Sequence, residues 1–262
     1  MTVDHLGANL DGKVALVTGG AASGVGLAVA RLLQEYGVSV VAEDVNPDVV
    51  EVFSGLDGVV PFVGDVTTER AATDAVALAE DRFGGLDILI NNAGVIINKP
   101  IVETTLDDWN RILGVNVTGA FLHTREAMRV MAPRRRGAIV NIGSYACFQS
   151  FGTISAYAAS KGALAQLTRT AALEGIDHGI RVNAIGSGDV VTNILGDPRR
   201  PRRARQGRSD QTRGRSHRDR SRRGVPRIRS RKFRGWCGMD AGRRNECRHS
   251  ELTALGFDGG AV

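Results

Sequence analysis

From Lys13 to Gly186, short β-branched runs alternate with longer stretches of helical period, and few folds accommodate that rhythm. Six strands are expected, over 13–18 (K-V-A-L-V-T), 38–43 (V-S-V-V-A-E), 59–63, 86–91 (L-D-I-L-I-N), 138–143 (A-I-V-N-I-G) and 180–185. Helices are expected near 25–36, 68–83, 105–130 and 155–177, with a short one near 47–54. Crossovers of this length between parallel strands must be helical and right-handed, so the fold class is α/β, a doubly wound parallel sheet.

Beyond Pro198 the text changes character: apolar periodicity stops and Arg recurs nearly every second or third residue up to Arg234. Residues 199–250 hold 19 Arg and one Lys against four acids, a net charge of +16, which leaves −10 for the rest of a chain whose total is +6. The division read from this is a folded domain over 1–198 and an Arg-rich tail over 199–262. Dense like charge with few apolar residues favours disorder and grips polyanions through charge alone. The tail lacks interleaved aromatics and a recognisable fold, so no specific nucleic acid is expected. Cys147, Cys237 and Cys247 are scattered without metal-ligand spacing and are read as free thiols, with no metal expected. Neither a signal peptide nor a run of roughly 20 apolar residues is present, which makes a cytoplasmic protein without membrane attachment the expectation.

The first strand runs into Thr18-Gly19-Gly20-Ala21-Ala22-Ser23-Gly24-Val25-Gly26 and then directly into a helix. Glycines let backbone approach a pyrophosphate, and a helix N-terminus supplies unpaired N–H groups to hold it. At the end of the second strand stand two acids, Glu43 and Asp44. A carboxylate there accepts hydrogen bonds from the adenosine ribose hydroxyls of NAD and repels the extra phosphate of NADP, which favours NAD(H). Tyr157-Ala158-Ala159-Ser160-Lys161 puts a phenol and an ammonium on one helix face. A neighbouring ammonium favours the phenolate and brings a base of ordinary pKa near 10 toward working range.

These motifs together resemble the short-chain dehydrogenase/reductase family, whose glycine spacing G-x-x-x-G-x-G matches Gly20, Gly24 and Gly26 and whose N-N-A-G matches residues 91–94 without a substitution. The resemblance implies a Rossmann-like sheet and an NAD-dependent oxidoreductase, an alcohol dehydrogenase or ketone reductase acting on a small molecule. Counting from Gly37, it selects Asp44 as the ribose ligand and Asp65-Val66 as the adenine contact. It implies cofactor contacts from Gly19, Ser23, Gly24, Val25, Gly26, Asn92, Ala93, Gly94, Tyr157 and Lys161, with Thr192 at the carboxamide. It also implies a catalytic set of Asn116, Ser144, Tyr157 and Lys161. Tyr157 then exchanges the hydroxyl proton, Ser144 steadies the substrate oxygen, Lys161 binds ribose and tunes Tyr157, and Asn116 holds a relay water. Ser187 stands where the family has a proline. Ala146, Phe148, Phe151 and Ile154 are expected to line an apolar substrate site or to pack beside it.

The family ends with a helix and a seventh strand that also build its homo-oligomer contacts, and neither is readable here. Reading each codon of Ser216–Arg244 one base later permits R-T-E-I-A-A-A-A-A-F-L-A-S-D-R-E-S-S-V-A-G-V-A-W-T-L-D-G-G, which resembles the family's ending. The expectation is a reading frame displaced shortly after Pro198, leaving the last helix and strand missing and the oligomer without its usual contacts. An inactive remnant of the family and a nonspecific polyanion binder are the alternatives to an active enzyme.

Overall fold

The first strand is the hub of the molecule. In the computed structural model, which describes residues 10–19 and 24–188, β1 (Val14–Thr18) pairs in parallel with both β2 (Ser39–Asp44) and β4 (Ile88–Asn91). β3 (Val59–Val63) extends the sheet beyond β2, while β5 (Gly137–Ile142) and β6 (Ile180–Ile185) extend it beyond β4. The order β3-β2-β1-β4-β5-β6 is that of a dinucleotide-binding doubly wound sheet. Strand order reverses between β1 and β4, and ligands of such sheets bind in the crevice outside the carboxyl ends at that point.

Local chemistry explains where the helices begin and end. α1 (Val25–Glu35) starts directly after Gly24, whose φ is +87°. α2 (Val49–Val52) is a single turn. Thr68 caps α3 (Glu69–Phe83) by accepting from the Ala71 N–H, and Gly84 ends it in the left-handed conformation. α4 (Leu106–Leu113) opens with a capping box in which Thr105 and Asp108 satisfy each other's backbone N–H groups. α5 (Ala120–Met131) and the long α6 (Ser155–Ile176) complete the set.

The segment expected as one helix over 105–130 is two helices joined by π-helical backbone over Gly114–Gly119. A 3.6-residue apolar period persists on both sides, so periodicity alone cannot register the extra residue per turn. The other elements agree with the sequence reading to within about two residues, β4 being shorter at its start because Leu86 and Asp87 precede it.

Two apolar layers flank the sheet. On one side Ala15, Val17, Val40, Ala42, Ile88 and Ile90 pack under α1, α2 and Phe53; on the other, Leu16, Val41, Leu89 and Ile139 pack under α3, α5 and α6. No helix among the described residues is long and apolar enough to cross a membrane. Ser23, Thr192, Cys237, Cys247, the expected loss of the last helix and seventh strand, and the Arg-rich tail all lie outside the described residues.

Candidate active site

The carboxyl edge of the sheet opens into a cleft of about 770 Å³, within the range of ligand pockets. Its floor is made by two strand ends clamped together. Asn92 Nδ2 donates to the carbonyls of Thr18 (3.2 Å) and Gly19 (2.8 Å), and Thr18 Oγ1 accepts from the N–H groups of Asn92 (3.2 Å) and Ala93 (3.3 Å). A Cβ on Gly19 would lie 2.6 Å from Ala93 Cα, and its φ is +62°, so space and conformation both demand glycine. Gly24 and Val25 at the start of α1, with Ala93 and Gly94, also line the cleft. Glycine backbone beside a helix N-terminus fits a pyrophosphate. Gly26, expected with them, is buried in the first turn of α1 and lies behind the lining.

At one end the cleft is lined by Asp44, Asp65 and Val66. Asp44 Oδ1 accepts from the Asn46 N–H at 2.9 Å, and Asp65 Oδ1 accepts from the N–H and hydroxyl of Thr67 at 3.0 and 2.8 Å, so both carboxylates sit in turns of fixed shape. Strand alternation turns the neighbouring Glu43 away from the lining into complete burial against His123, so that of the two adjacent acids it is Asp44 that lines the cleft.

At the other end stand Ser144, just past β5, and Tyr157 and Lys161, one turn apart on α6. Ser144 Oγ accepts from the Ala146 N–H at 3.1 Å, and the Lys161 Nζ donates to the Ile142 carbonyl at 2.7 Å while lying 5.7 Å from the Tyr157 ring centroid. Burial holds the Lys161 ammonium down at about 8. Burial likewise pushes the Tyr157 phenol above its ordinary value, with the Ser144 hydrogen bond opposing. Where the sequence places the phenol below its ordinary value beside the Lys161 ammonium, burial of the ring outweighs that effect.

Asn116 lies in the π-helical segment, almost fully buried. Its Oδ1 accepts from the Val95 N–H (2.8 Å), and its Nδ2 donates to the Val95 carbonyl (3.0 Å) and to Ser160 Oγ (2.9 Å). These bonds fasten the irregular segment that follows N-N-A-G to α6. A Cβ on Gly94 would meet both Asn116 Oδ1 (3.5 Å) and Lys161 Nζ (3.7 Å), so the two polar groups flank one glycine. Asn110, Arg111, Gly114 and Val115 also line the cleft; a pattern that reads as continuous helix does not mark them, and the glycines at 114 and 119 are the available signal.

Beside Ser144, Ala146 is packed into the protein, Phe148 is 62% exposed, and Phe151 meets Tyr145 edge-on at 5.0 Å between centroids. Ile154 bridges to Lys99, whose Nζ is held at 2.6 Å by Asp108. The Ser187 carbonyl accepts from the Tyr145 N–H, so the loop after β6 lies along this wall in spite of the missing proline.

The family model for short chain dehydrogenase matches residues 13–203. The chain belongs to the short-chain dehydrogenase family. Among its relatives are a borneol dehydrogenase of Lavandula x intermedia, 41% identical over 72% of this chain and 73% of that protein, and the 2-(S)-hydroxypropyl-CoM dehydrogenase 3 of Xanthobacter autotrophicus, 37% identical over 71% and 75%. A crystal structure of a short chain dehydrogenase from Mycobacterium smegmatis is similar with a TM-score of 0.66 and 34% identity, covering 68% of this chain and 78% of that one. As a short-chain dehydrogenase it is an oxidoreductase, a dehydrogenase or reductase acting on a small molecule, in a family that uses nicotinamide cofactors.

Proposed function

We propose that the cleft holds NAD(H) and that the chain transfers a hydride between it and a secondary alcohol or ketone. The observation that carries this is a single cleft with Asp44 at one end, a glycine-rich floor in the middle, and Ser144, Tyr157 and Lys161 together at the other. Asp44 favours NAD over NADP because a carboxylate repels a ribose phosphate. Gly19, Ser23, Gly24, Val25 and Gly26 form the pyrophosphate turn, Asp65 and Val66 hold the adenine, Asn92, Ala93 and Gly94 support the ribose side, and Thr192 holds the carboxamide. The bound nicotinamide supplies the hydride acceptor or donor.

Ser144 hydrogen-bonds the substrate oxygen and Tyr157 exchanges its proton. Lys161 binds the cofactor ribose, and Asn116 anchors the path by which the Tyr157 proton reaches water. The exposed Phe148 and Phe151, shortly after Ser144 in the chain, are assigned to the substrate side and would favour an apolar alcohol, in keeping with relatives named for borneol and for 2-(S)-hydroxypropyl-CoM. Replacing Tyr157 by Phe is expected to lower alcohol oxidation by about 10³-fold while NADH binding changes less than about twofold. Equal loss of binding and turnover would contradict the assignment.

We further propose that residues 1–198 are the catalytic domain, working in the cytoplasm, and that 199–262 are the product of a displaced frame. The family match ends at residue 203, and the relatives above align over about seven tenths of the chain, which supports this division. In the proposed account the chain as written lacks the family's oligomer contacts. Sequencing the gene tests it: an uninterrupted frame whose bases cannot spell the family's ending contradicts the proposal.

A further inference from the structure

One buried ionisable pair has no part in the hydride transfer. Glu43, at the end of β2, and His123, in α5, are 80 positions apart in sequence, have side chains with no solvent exposure, and meet at 2.8 Å between Oε2 and Nε2. His123 Nδ1 lies 2.9 Å from the Gly119 carbonyl, which can only accept, so Nδ1 carries a hydrogen. A single further proton is then shared between Nε2 and Oε2, and the pair is neutral as a whole wherever that proton resides. Burial alone would lower the imidazole, but the hydrogen bond and charge of Glu43, with the Gly119 carbonyl, outweigh it and hold His123 above the usual histidine value. Glu43 Oε1 has no partner among the described residues.

The surroundings of the pair are the back wall of the cleft. A Cβ on Gly64 would sit 2.7 Å from Glu43 Oε1, and Gly64 N–H donates to the Asp44 carbonyl at 3.0 Å. On the other side, a Cβ on Gly119 would sit 2.9 Å from Val66 Cγ2. Glu43 is therefore covalently joined to Asp44 and packed on the glycine preceding Asp65, while His123 holds the residue on which Val66 rests. An apolar pair fills such a space with less desolvation, whereas a hydrogen-bonded pair fixes a direction and a distance.

We propose that Glu43 and His123 are positioning residues that brace the end of β2 against the end of the π-helical segment and so set the shape of the cleft's adenosine end. This rests on the reading of the cleft as a dinucleotide site. Neither residue touches the cofactor; each acts through its neighbour, Asp44 or Val66.

The test uses the full chain with NADH and with reduced nicotinamide mononucleotide, which lacks the adenosine half, both followed by fluorescence. Thermal melting reports folding. In the double variant Glu43→Leu with His123→Leu, the melting temperature is expected at or above wild type and NADH binding about tenfold weaker, with the mononucleotide unaffected. Glu43→Gln, whose amide can donate to Nε2 and keep the contact, is expected to bind NADH within twofold of wild type. Wild-type NADH binding by the double variant, or equal weakening for both ligands, overturns the positioning role alone. Failure of the wild-type chain itself to bind NADH overturns the cofactor reading and the positioning role with it.

Discussion

The two faces of the sheet are built from alternate residues of the same strands yet differ in kind. Under α1 and α2 the buried side chains are Ala, Val, Ile and Phe, with Phe53 filling the space beneath α2. Under α5 and α6, polar groups are threaded through the apolar layer near the carboxyl edge. Asn91 Nδ2 donates to Asn141 Oδ1 (2.8 Å) and Thr124 Oγ1 (3.1 Å), Asn141 Nδ2 donates to Thr168 Oγ1 (2.8 Å), and the Glu43–His123 pair and Asn116–Ser160 lie on the same side. The first face is held by volume, and the second by direction. A hydrophobic contact tolerates sliding, whereas a buried hydrogen bond that loses its partner leaves a desolvated polar atom, so the polar face is the one able to hold catalytic groups in register.

Three changes break or sharpen that contrast. Phe53→Ala empties a fully packed site on the apolar face and is expected to cost about 4 kcal/mol of stability, with kcat and KM of the folded fraction unchanged; denaturant melts and steady-state rates check it. Lys161→Met on the polar face does the reverse, abolishing turnover while stabilising the protein at neutral pH. The Lys161 pKa is about 8 in the folded chain and 10.5 as its ordinary value, so the unfolded state binds more protons between those limits. The stability cost of the buried ammonium is thus fully present below about pH 8 and fades as pH rises toward 10.5. The variant should exceed wild type by about 2–3 kcal/mol at pH 7 and match it near pH 10.5, as read from melts across pH. Asn141→Ala removes the acceptor of Asn91 and the donor to Thr168 and is expected to cost about 2 kcal/mol, with a fall in kcat as the end of β5 before Ser144 loosens. Unaltered kcat in Asn141→Ala, or altered KM in Phe53→Ala, would erase the distinction between the faces.

The same distinction marks what the sequence makes legible. All six strands and their parallel crossovers follow from periodicity, because each is a property of contiguous residues, while the joining of Ser144 to Tyr157 and Lys161 follows from the family resemblance. The π-helical turn over Gly114–Gly119 does not, since one extra residue per turn leaves the apolar pattern on either side intact. Nor does the burial of Glu43: two adjacent acids at a strand end are equivalent until alternation and a histidine 80 positions later decide which one faces the cleft. The roles of Asn91 and Asn92 were concealed in the same way. One is spent on side-chain bonds under α5 and the other on clamping β1 to β4, and the motif records both only as N-N. The direction of the Tyr157 phenol is hidden too, because spacing reveals the neighbouring ammonium but not the burial that pushes the phenol up.

The central claim, a dinucleotide site on a glycine floor between β1 and β4, is tested most directly by NADH fluorescence with the purified chain and with Gly19→Val. A branched side chain at φ +62° and within 2.6 Å of Ala93 Cα closes the floor without touching Tyr157 or Ser144. Saturable binding by the wild type and at least a hundredfold weaker binding by a Gly19→Val protein of unchanged circular dichroism is the result the account predicts. No binding by the wild type, or equal binding by both, would contradict it.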